Sequence, residues 1–319
     1  MAQQSWILRF GELGLKSKVV RRSFQRALRK NLVQLSKNTS VPILRSRLRD
    51  FDVVYSEAPT EAVEDLICHG LGIVAFERIV ELSEDLDPNV VAKQVLERHS
   101  RVGEPRTFGV RIKRLGKKEE WDSQSYARAL GSILIEMDPS LSVDLSHPDW
   151  WVKIILEPGK VSSIEKRTLG PGGLPTGVQG DVLAQLRTRD DVLGCFLIMR
   201  RGSRIIPVLE SKEEHIAVLK KWDPFIGVRS RTRDDKNRTF QRPAWGTVGL
   251  SIQQAQPFIE RREEAIKTTP LCTLEPLCGW TEGEKLALWK HLESPSLFRP
   301  HPDTTTWFQS TSQQRDEVN

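Results

Sequence analysis

The chain is short of the residues that build metal centres and disulfide frameworks: its 319 residues include four cysteines and six histidines. Cys68, Cys195, Cys272 and Cys278 are scattered, and the six-residue spacing of the last two, with no second pair, does not match zinc-ligand spacing. No metal is expected. No apolar run approaches the roughly 20 residues that span a bilayer, and the N-terminus lacks the basic, apolar and small-residue order of a signal peptide. A membrane role is therefore not expected, and the cytoplasm is the expected location. Two further absences are local: Ser17 to Ser36 contains no Asp or Glu, and the segment Arg187-Thr188-Arg189-Asp190-Asp191 contains no glycine.

Hydrophobic content of 38% and charged content of 28% suit a globular protein, with length for two or three domains. Net charge is +6, and it is unevenly placed. Residues 1–60 carry twelve Lys or Arg against four Asp or Glu, so they hold +8 and the rest of the chain −2. That concentration favours an anionic partner.

Trp6 to Phe10 reads as a strand. From Ser17 to Ser36, Val20, Phe24, Leu28, Leu32 and Leu35 recur at helical spacing, while Lys18, Arg22, Arg26, Arg29 and Lys30 gather on the other side. A solvated helix face ordinarily mixes both signs; here repulsion goes unrelieved unless an anion sits there, which favours phosphate contact. Arg45 to Ser56 alternates as strand, broken at Asp50. Thr60 is expected to cap a helix to Cys68, Ala75 to Leu82 reads as a strand, and Asp87-Pro88 opens a helix to about His99. Thr107 to Arg114 alternates apolar and basic residues as a half-buried strand presenting Arg111, Lys113 and Arg114. A helix over Ser123 to Met137 and strands at Val143 to Leu145 and Trp151 to Leu156 complete an α+β segment.

Residues 170–177, GPGGLPTG, cannot continue a helix or central strand and read as a linker or hinge. Beyond them a strand over Val182 to Leu186, a helix over Asp191 to Arg201, a strand over Arg204 to Leu209 and a helix over Lys212 to Trp222 alternate as in a doubly wound sheet. Gly227 to Pro243 reads as a mobile basic loop, either a solvated linker or an accessory RNA contact. Ala244 to Leu250 suits a third strand, followed by a helix from Ser251 to about Lys267, and Glu284 to Leu292 a final helix. The residues from Ser310 form a polar tail.

These motifs resemble, in order, those of tRNA 4-thiouridine sulfurtransferases. RFGELGLKSKVVRR (Arg9 to Arg22) resembles the opening of the family's ferredoxin-like domain. FGVRIKR, DSQSYARALGSIL and VDLSHPDWWVKIILEPG resemble a THUMP domain, and GPGGLPTGVQGDVLAQL resembles the junction to an ATP-pyrophosphatase (PP-loop) domain. The resemblance implies an α+β N-terminal region, ferredoxin-like plus THUMP, then a truncated, degenerate Rossmann-like α/β domain. The expected boundaries are 1–58, 59–168, a junction at 169–180, 181–298 and a tail at 299–319. It implies tRNA as partner, with RNA contacts from Arg9, Lys16, Lys18, Arg22, Arg26, Arg29, Lys30, Arg111, Lys113 and Arg114. Arg9 and Lys16 have an alternative role as ion-pair partners of Glu12.

In that family the turn after the first PP-loop strand is Ser-Gly-Gly-x-Asp-Ser and binds ATP phosphates. Here Arg187, Thr188, Arg189 and Val192 replace the serines and glycines, and only Asp191 matches. The second nucleotide motif has only a loose counterpart at Gly249 to Gln256, and Glu293-Ser294-Pro295-Ser296 stands where many members carry a sulfur-relaying cysteine. A serine cannot carry a persulfide. The resulting expectation is a tRNA-binding protein with no catalytic residue and no cofactor. The alternative is a divergent sulfurtransferase using ATP, alone, as a homodimer or with a catalytic partner chain.

Overall fold

The computed structural model describes residues 3–11, 17–48, 51–99, 101–115, 121–165, 167–208, 210–233, 239–241, 244–251, 253–255, 257 and 272–298. In chain order the elements begin with β1 (Gln4–Phe10), α1 (Lys18–Thr39), β2 (Leu44–Leu48), β3 (Phe51–Ser56), α2 (Thr60–Cys68), β4 (Ile73–Ser83) and α3 (Pro88–Glu97). There follow β5 (Arg106–Arg114), α4 (Ser123–Met137), β6 (Leu141–Val143), β7 (Trp150–Glu157), β8 (Lys160–Ile164) and β9 (Thr168–Leu169). The last part holds β10 (Asp181–Ala184), α5 (Arg189–Arg200), β11 (Arg204–Pro207), α6 (Glu213–Lys220), β12 (Arg231–Arg233), β13 (Thr239–Gln241), β14 (Gly246–Val248), β15 (Cys272–Thr273) and α7 (Glu282–Glu293). Two compact units result, one of Met1–Leu8, Leu44–Glu57 and Glu77–Thr168, the other of Arg9–Ile43, Ala58–Phe76 and Leu169–Asn319.

The first unit is built on a sheet of order β2-β3-β1-β4-β8-β7-β5-β6, with β9 beside β4. β5 lies parallel to both β6 and β7, whereas β7 and β8 form an antiparallel hairpin. The strand β8 is not among the sequence expectations; Pro158-Gly159, with Gly159 at φ 67°, supplies its two-residue turn. Because β5 alternates, Phe108, Val110 and Ile112 pack with Val91, Val95, Tyr126, Leu130 and Leu134 of α3 and α4, and Arg111 points the other way. Asp122 caps α4 through a capping box with Ser125. β6 ends at Val143, earlier than expected, because Asp144 Oδ1 accepts from the N–H groups of Ser146 and His147 and turns the chain.

In the second unit β11, β10, β14 and β15 form a parallel sheet in that order. Its core joins Val182, Ala184, Val192, Phe196, Met199, Trp222, Leu288 and Leu292. α1 packs here: Phe24 meets Leu174, and the buried Asn31 amide donates to Thr176 Oγ1 at 2.9 Å and to the Thr176 carbonyl at 3.2 Å. Val20, expected on the buried side, lies outside that contact and is exposed. Thr60 is the first helical residue of α2, not its cap; Pro59 precedes it and no side chain caps the helix.

The glycine-rich junction is packed, not a hinge. Pro171, Leu174, Pro175 and Thr176 are buried, Gly72 N–H donates to Gly172 O, Gly172 N–H to Ile73 O, and Leu174 N–H to Arg200 O, each at 2.8 Å. The expected loop at 227–243 holds the antiparallel pair β12 and β13. Most of the helix expected over Ser251 to Lys267, and the tail from residue 299, lie outside the described residues.

A buried histidine, His291, and a largely buried one, His69, are expected to make this unit acid-sensitive. His69 and His291 both contact the Trp222 indole, with ring centroids 4.9 and 5.2 Å away, and each Nδ1–H donates to a backbone carbonyl, of Asp65 and Phe298 respectively. Burial lowers both pKa values, that of His291 to about 4. The unfolded chain therefore takes up protons before the folded one does: the stabilisation is whole above pH 6.5 and is lost as pH falls toward 4. For His291 the loss is roughly 3 kcal/mol. Urea midpoints measured from pH 7.5 to 4 are expected to fall across this window and to flatten in His291→Gln.

Candidate nucleic-acid interface

α1 starts at Ser17, whose hydroxyl accepts from Val20 N–H, and has no acid in its first turn. Lys18, Arg22, Arg26, Arg29 and Lys30 are all exposed. Arg22, Arg26 and Arg29 have no hydrogen-bond or ion-pair partner among the described residues. Lys30 Nζ lies 4.4 Å from the centroid of the Phe225 ring. Arg9 is half-buried and engaged in an interaction, and Lys16 lies outside the described residues. The helix thus presents cations at i, i+4 and i+7 with nothing of opposite sign beside them on its own sequence.

The basic residues of β5 behave differently from one another. Arg111 is exposed, and its guanidinium carbon lies 3.6 Å from the centroid of the Trp151 ring. Lys113 and Arg114 are half-buried and engaged, Arg114 donating to the Trp121 carbonyl. Trp151 carries no sequence-level expectation; its signal is the Trp150-Trp151 pair on an alternating strand, which sends one indole to each face.

At the carboxyl end of β10, between β11 and β14, the strand order reverses, and in open α/β sheets this crevice takes the ligand. Here it is bridged by the protein itself. The Asp191 carboxylate Oδ2 accepts from the backbone N–H groups of Arg187 at 2.9 Å and Thr188 at 2.8 Å, and Thr188 Oγ1 accepts in return from Asp191 N–H at 3.2 Å. This capping box starts α5 two residues earlier than expected. Arg187 also donates to the Gly249 carbonyl at 3.4 Å, and Gly249, at φ 68°, lies so close that a β-carbon would stand 2.9 Å from Asp191 Oδ1. Arg189 lies 4.6 Å over the Trp289 ring, and Asp190 accepts from Lys285 at 2.7 Å. The Gln254 amide donates to Gln185 Oε1 at 3.3 Å, so the counterpart of the second nucleotide motif is tied to β10's end.

These residues do not fit ATP. An incoming phosphate needs space for close backbone approach at the helix N-terminus, and Thr188 and Arg189 carry side chains where the family has glycine; Asp191, the one position that matches, caps the turn. The thiols fall into two classes. Cys68 and Cys195 are buried, and burial raises both pKa values, that of Cys68 to about 12. Cys272 and Cys278 are exposed, in β15 and in the turn before α7. Among the described residues no cluster of three or more His, Cys, Asp or Glu is placed to hold a metal, and no helix is long and apolar enough to cross a membrane.

A THUMP domain model matches residues 89–162, the stretch from α3 through β8. The chain is 32% identical over 229 residues to the probable tRNA sulfurtransferase of Methanocaldococcus jannaschii, covering 67% of this chain and 58% of that protein. This chain carries a THUMP domain and is homologous to tRNA sulfurtransferases. A second family member, the tRNA sulfurtransferase of Vibrio atlanticus, is 31% identical over 196 residues, 61% of this chain and 40% of that one. The chain thus spans roughly half the length of the curated tRNA sulfurtransferases it matches. Among solved structures, a protein from Pyrococcus horikoshii matches with TM-score 0.62 at 22% identity, covering 91% of this chain and 99% of that one. A 4-thiouridine synthetase in complex with RNA and bound ATP matches with TM-score 0.59 at 19% identity, over 91% and 85%. Both share the fold of this chain.

Proposed function

We propose that this chain binds tRNA and does not adenylate it. The observation that carries the reading is the turn before α5, where Thr188 and Arg189 carry side chains at the positions the family fills with glycine, Thr188 capping the helix and Arg189 lying over the Trp289 ring. Arg22, Arg26 and Arg29, without hydrogen-bond or ion-pair partners among the described residues, and the THUMP domain support the binding half, since relatives carry the name tRNA sulfurtransferase and one solved neighbour is an RNA complex. In this reading residues 1–58 form a ferredoxin-like domain, 59–168 the THUMP domain, 169–180 the junction and 181–298 a degenerate PP-loop domain, and the chain acts with tRNA in the cytoplasm. Arg9, Lys16, Lys18, Arg22, Arg26, Arg29, Lys30, Arg111, Lys113 and Arg114 supply the contacts.

Calorimetric titration of Mg-ATP into the protein tests the reading. No binding heat is expected up to millimolar ATP; a micromolar Kd would make the arginine turn a working site and return the chain to the divergent sulfurtransferases. A companion variant separates a structural from a catalytic Asp191. Asp191→Ala removes the acceptor of two N–H groups and is expected to cost about 1–2 kcal/mol of stability, with tRNA affinity unchanged within twofold, read by thermal melts and gel shift.

A further inference from the structure

Two arginine–tryptophan pairs sit on opposite faces of the same sheet and have opposite fates. Trp150 and Trp151 are consecutive on β7, so their indoles leave on opposite sides. On the helix-covered side, Arg106 lies 5.0 Å over Trp150, but it is buried, faces Asp138 at 3.8 Å and donates to the Arg101 carbonyl. Its charge is consumed internally. On the other side, Arg111 lies 3.6 Å over Trp151, is exposed, and has no hydrogen bond or ion pair among the described residues.

The surroundings of Trp151 explain how the second pair is held. In the β5–β7 register Trp151 lies opposite Gly109, and a β-carbon on Gly109 would stand 2.7 Å from the indole, so only glycine leaves the ring room to lie over β5. Arg111, two residues on, shares the face of Gly109. Its cross-strand neighbour Lys153 bonds the buried Glu77 carboxylate at 3.1 Å, and Arg167 reaches the same oxygen at 3.4 Å. Two cations thus occupy the Glu77 carboxylate, and among the described residues Arg111 pairs with no acid.

We infer that Gly109 and Trp151 are positioning residues that hold the Arg111 guanidinium as a preformed fork for one phosphodiester of bound RNA. A guanidinium stacked on an aromatic face keeps its N–H edge outward and loses little freedom on bonding phosphate with two parallel hydrogen bonds. Lysine in the same place keeps the charge and loses the fork. The inference rests on the tRNA-binding reading and names the ligand group and the residues that orient the contact.

The test is a double-mutant cycle in tRNA binding, measured by filter retention from 50 to 200 mM salt. Arg111→Ala is expected to weaken binding about tenfold and to lower the slope of log K against log salt by about 0.7–0.9, the signature of one lost phosphate contact. Arg111→Lys keeps the slope and loses about fivefold. Trp151→Ala approaches the Arg111→Ala loss, the double variant is no worse than either alone, Trp151→Phe restores most of the affinity, and Gly109→Ala behaves like Trp151→Ala. Thermal melts check that each variant folds, and Trp151→Phe keeps the test readable if Trp151→Ala does not. Additive losses for Arg111→Ala and Trp151→Ala would reduce Trp151 to a packing residue and overturn the inference. So would a neutral Arg111→Ala in a protein that binds tRNA and loses it on reversal of α1 charge, leaving the tRNA-binding reading intact. Failure of the wild type to retain tRNA would remove that reading first and this one with it.

Discussion

Reversing two charges on α1, Arg22→Glu with Arg26→Glu, is expected to lower tRNA affinity about a hundredfold or more near 100 mM salt. The two residues are one helical turn apart on an exposed face, neither has a partner to release among the described residues, and no acid lies between Ser17 and Ser36 to share the load. Each reversal removes one phosphate contact and adds a repulsion, so the salt slope should also fall by roughly 1.5 for the pair. Stability should move little, because exposed substitutions of this kind change it by about 0.5 kcal/mol or less; the two introduced carboxylates still repel each other, while each gains a cation four residues away, Lys18 and Lys30. Gel shift and melting of the same preparation read both quantities. Unaltered affinity would show that the basic face is solvated surface.

The second large effect lies in the junction. Gly173→Ala is expected to cost about 3 kcal/mol: Gly173 sits at φ 71°, a conformation that costs an L-residue roughly 1–2 kcal/mol, and its new β-carbon would fall 2.4 Å from the Arg200 carbonyl oxygen, forcing a backbone shift worth about 1–3 kcal/mol more. Gly172→Ala is the control. It has nearly the same φ, 66°, but its β-carbon would meet nothing nearer than the Arg200 guanidinium at 3.7 Å, so only the conformational cost of about 1 kcal/mol applies. Urea denaturation of the two variants separates close packing from mere flexibility. Equal, small losses would mean that the junction is the hinge its composition suggests.

That contrast marks what the sequence can and cannot convey. Helix α1 was legible because its buried residues Phe24, Leu28, Leu32 and Leu35 recur at 3.6-residue spacing. The outward face of β5 followed from strict alternation. Glycines at Gly170 to Gly173 are compatible with a free linker and with backbone approach so close that no side chain fits; only tertiary contacts with Ile73 and Arg200 decide between them. The self-closure of the α5 turn is partly legible, since Thr188-x-x-Asp191 is a capping pattern, but which backbone N–H groups the Asp191 carboxylate takes is set by the fold of the turn. Asn31 in the middle of a helix gave no hint of Thr176, 145 residues away. Pairings at that separation, and units assembled from three chain segments each, leave no local periodicity to read.

The most direct test of the account is filter retention of labelled tRNA by the wild-type chain from 50 to 200 mM salt, with and without millimolar Mg-ATP. The account predicts retention that weakens steeply and linearly on logarithmic axes as salt rises, with the two ATP conditions superimposed. No retention at low salt, or retention that changes when ATP is added, would contradict it.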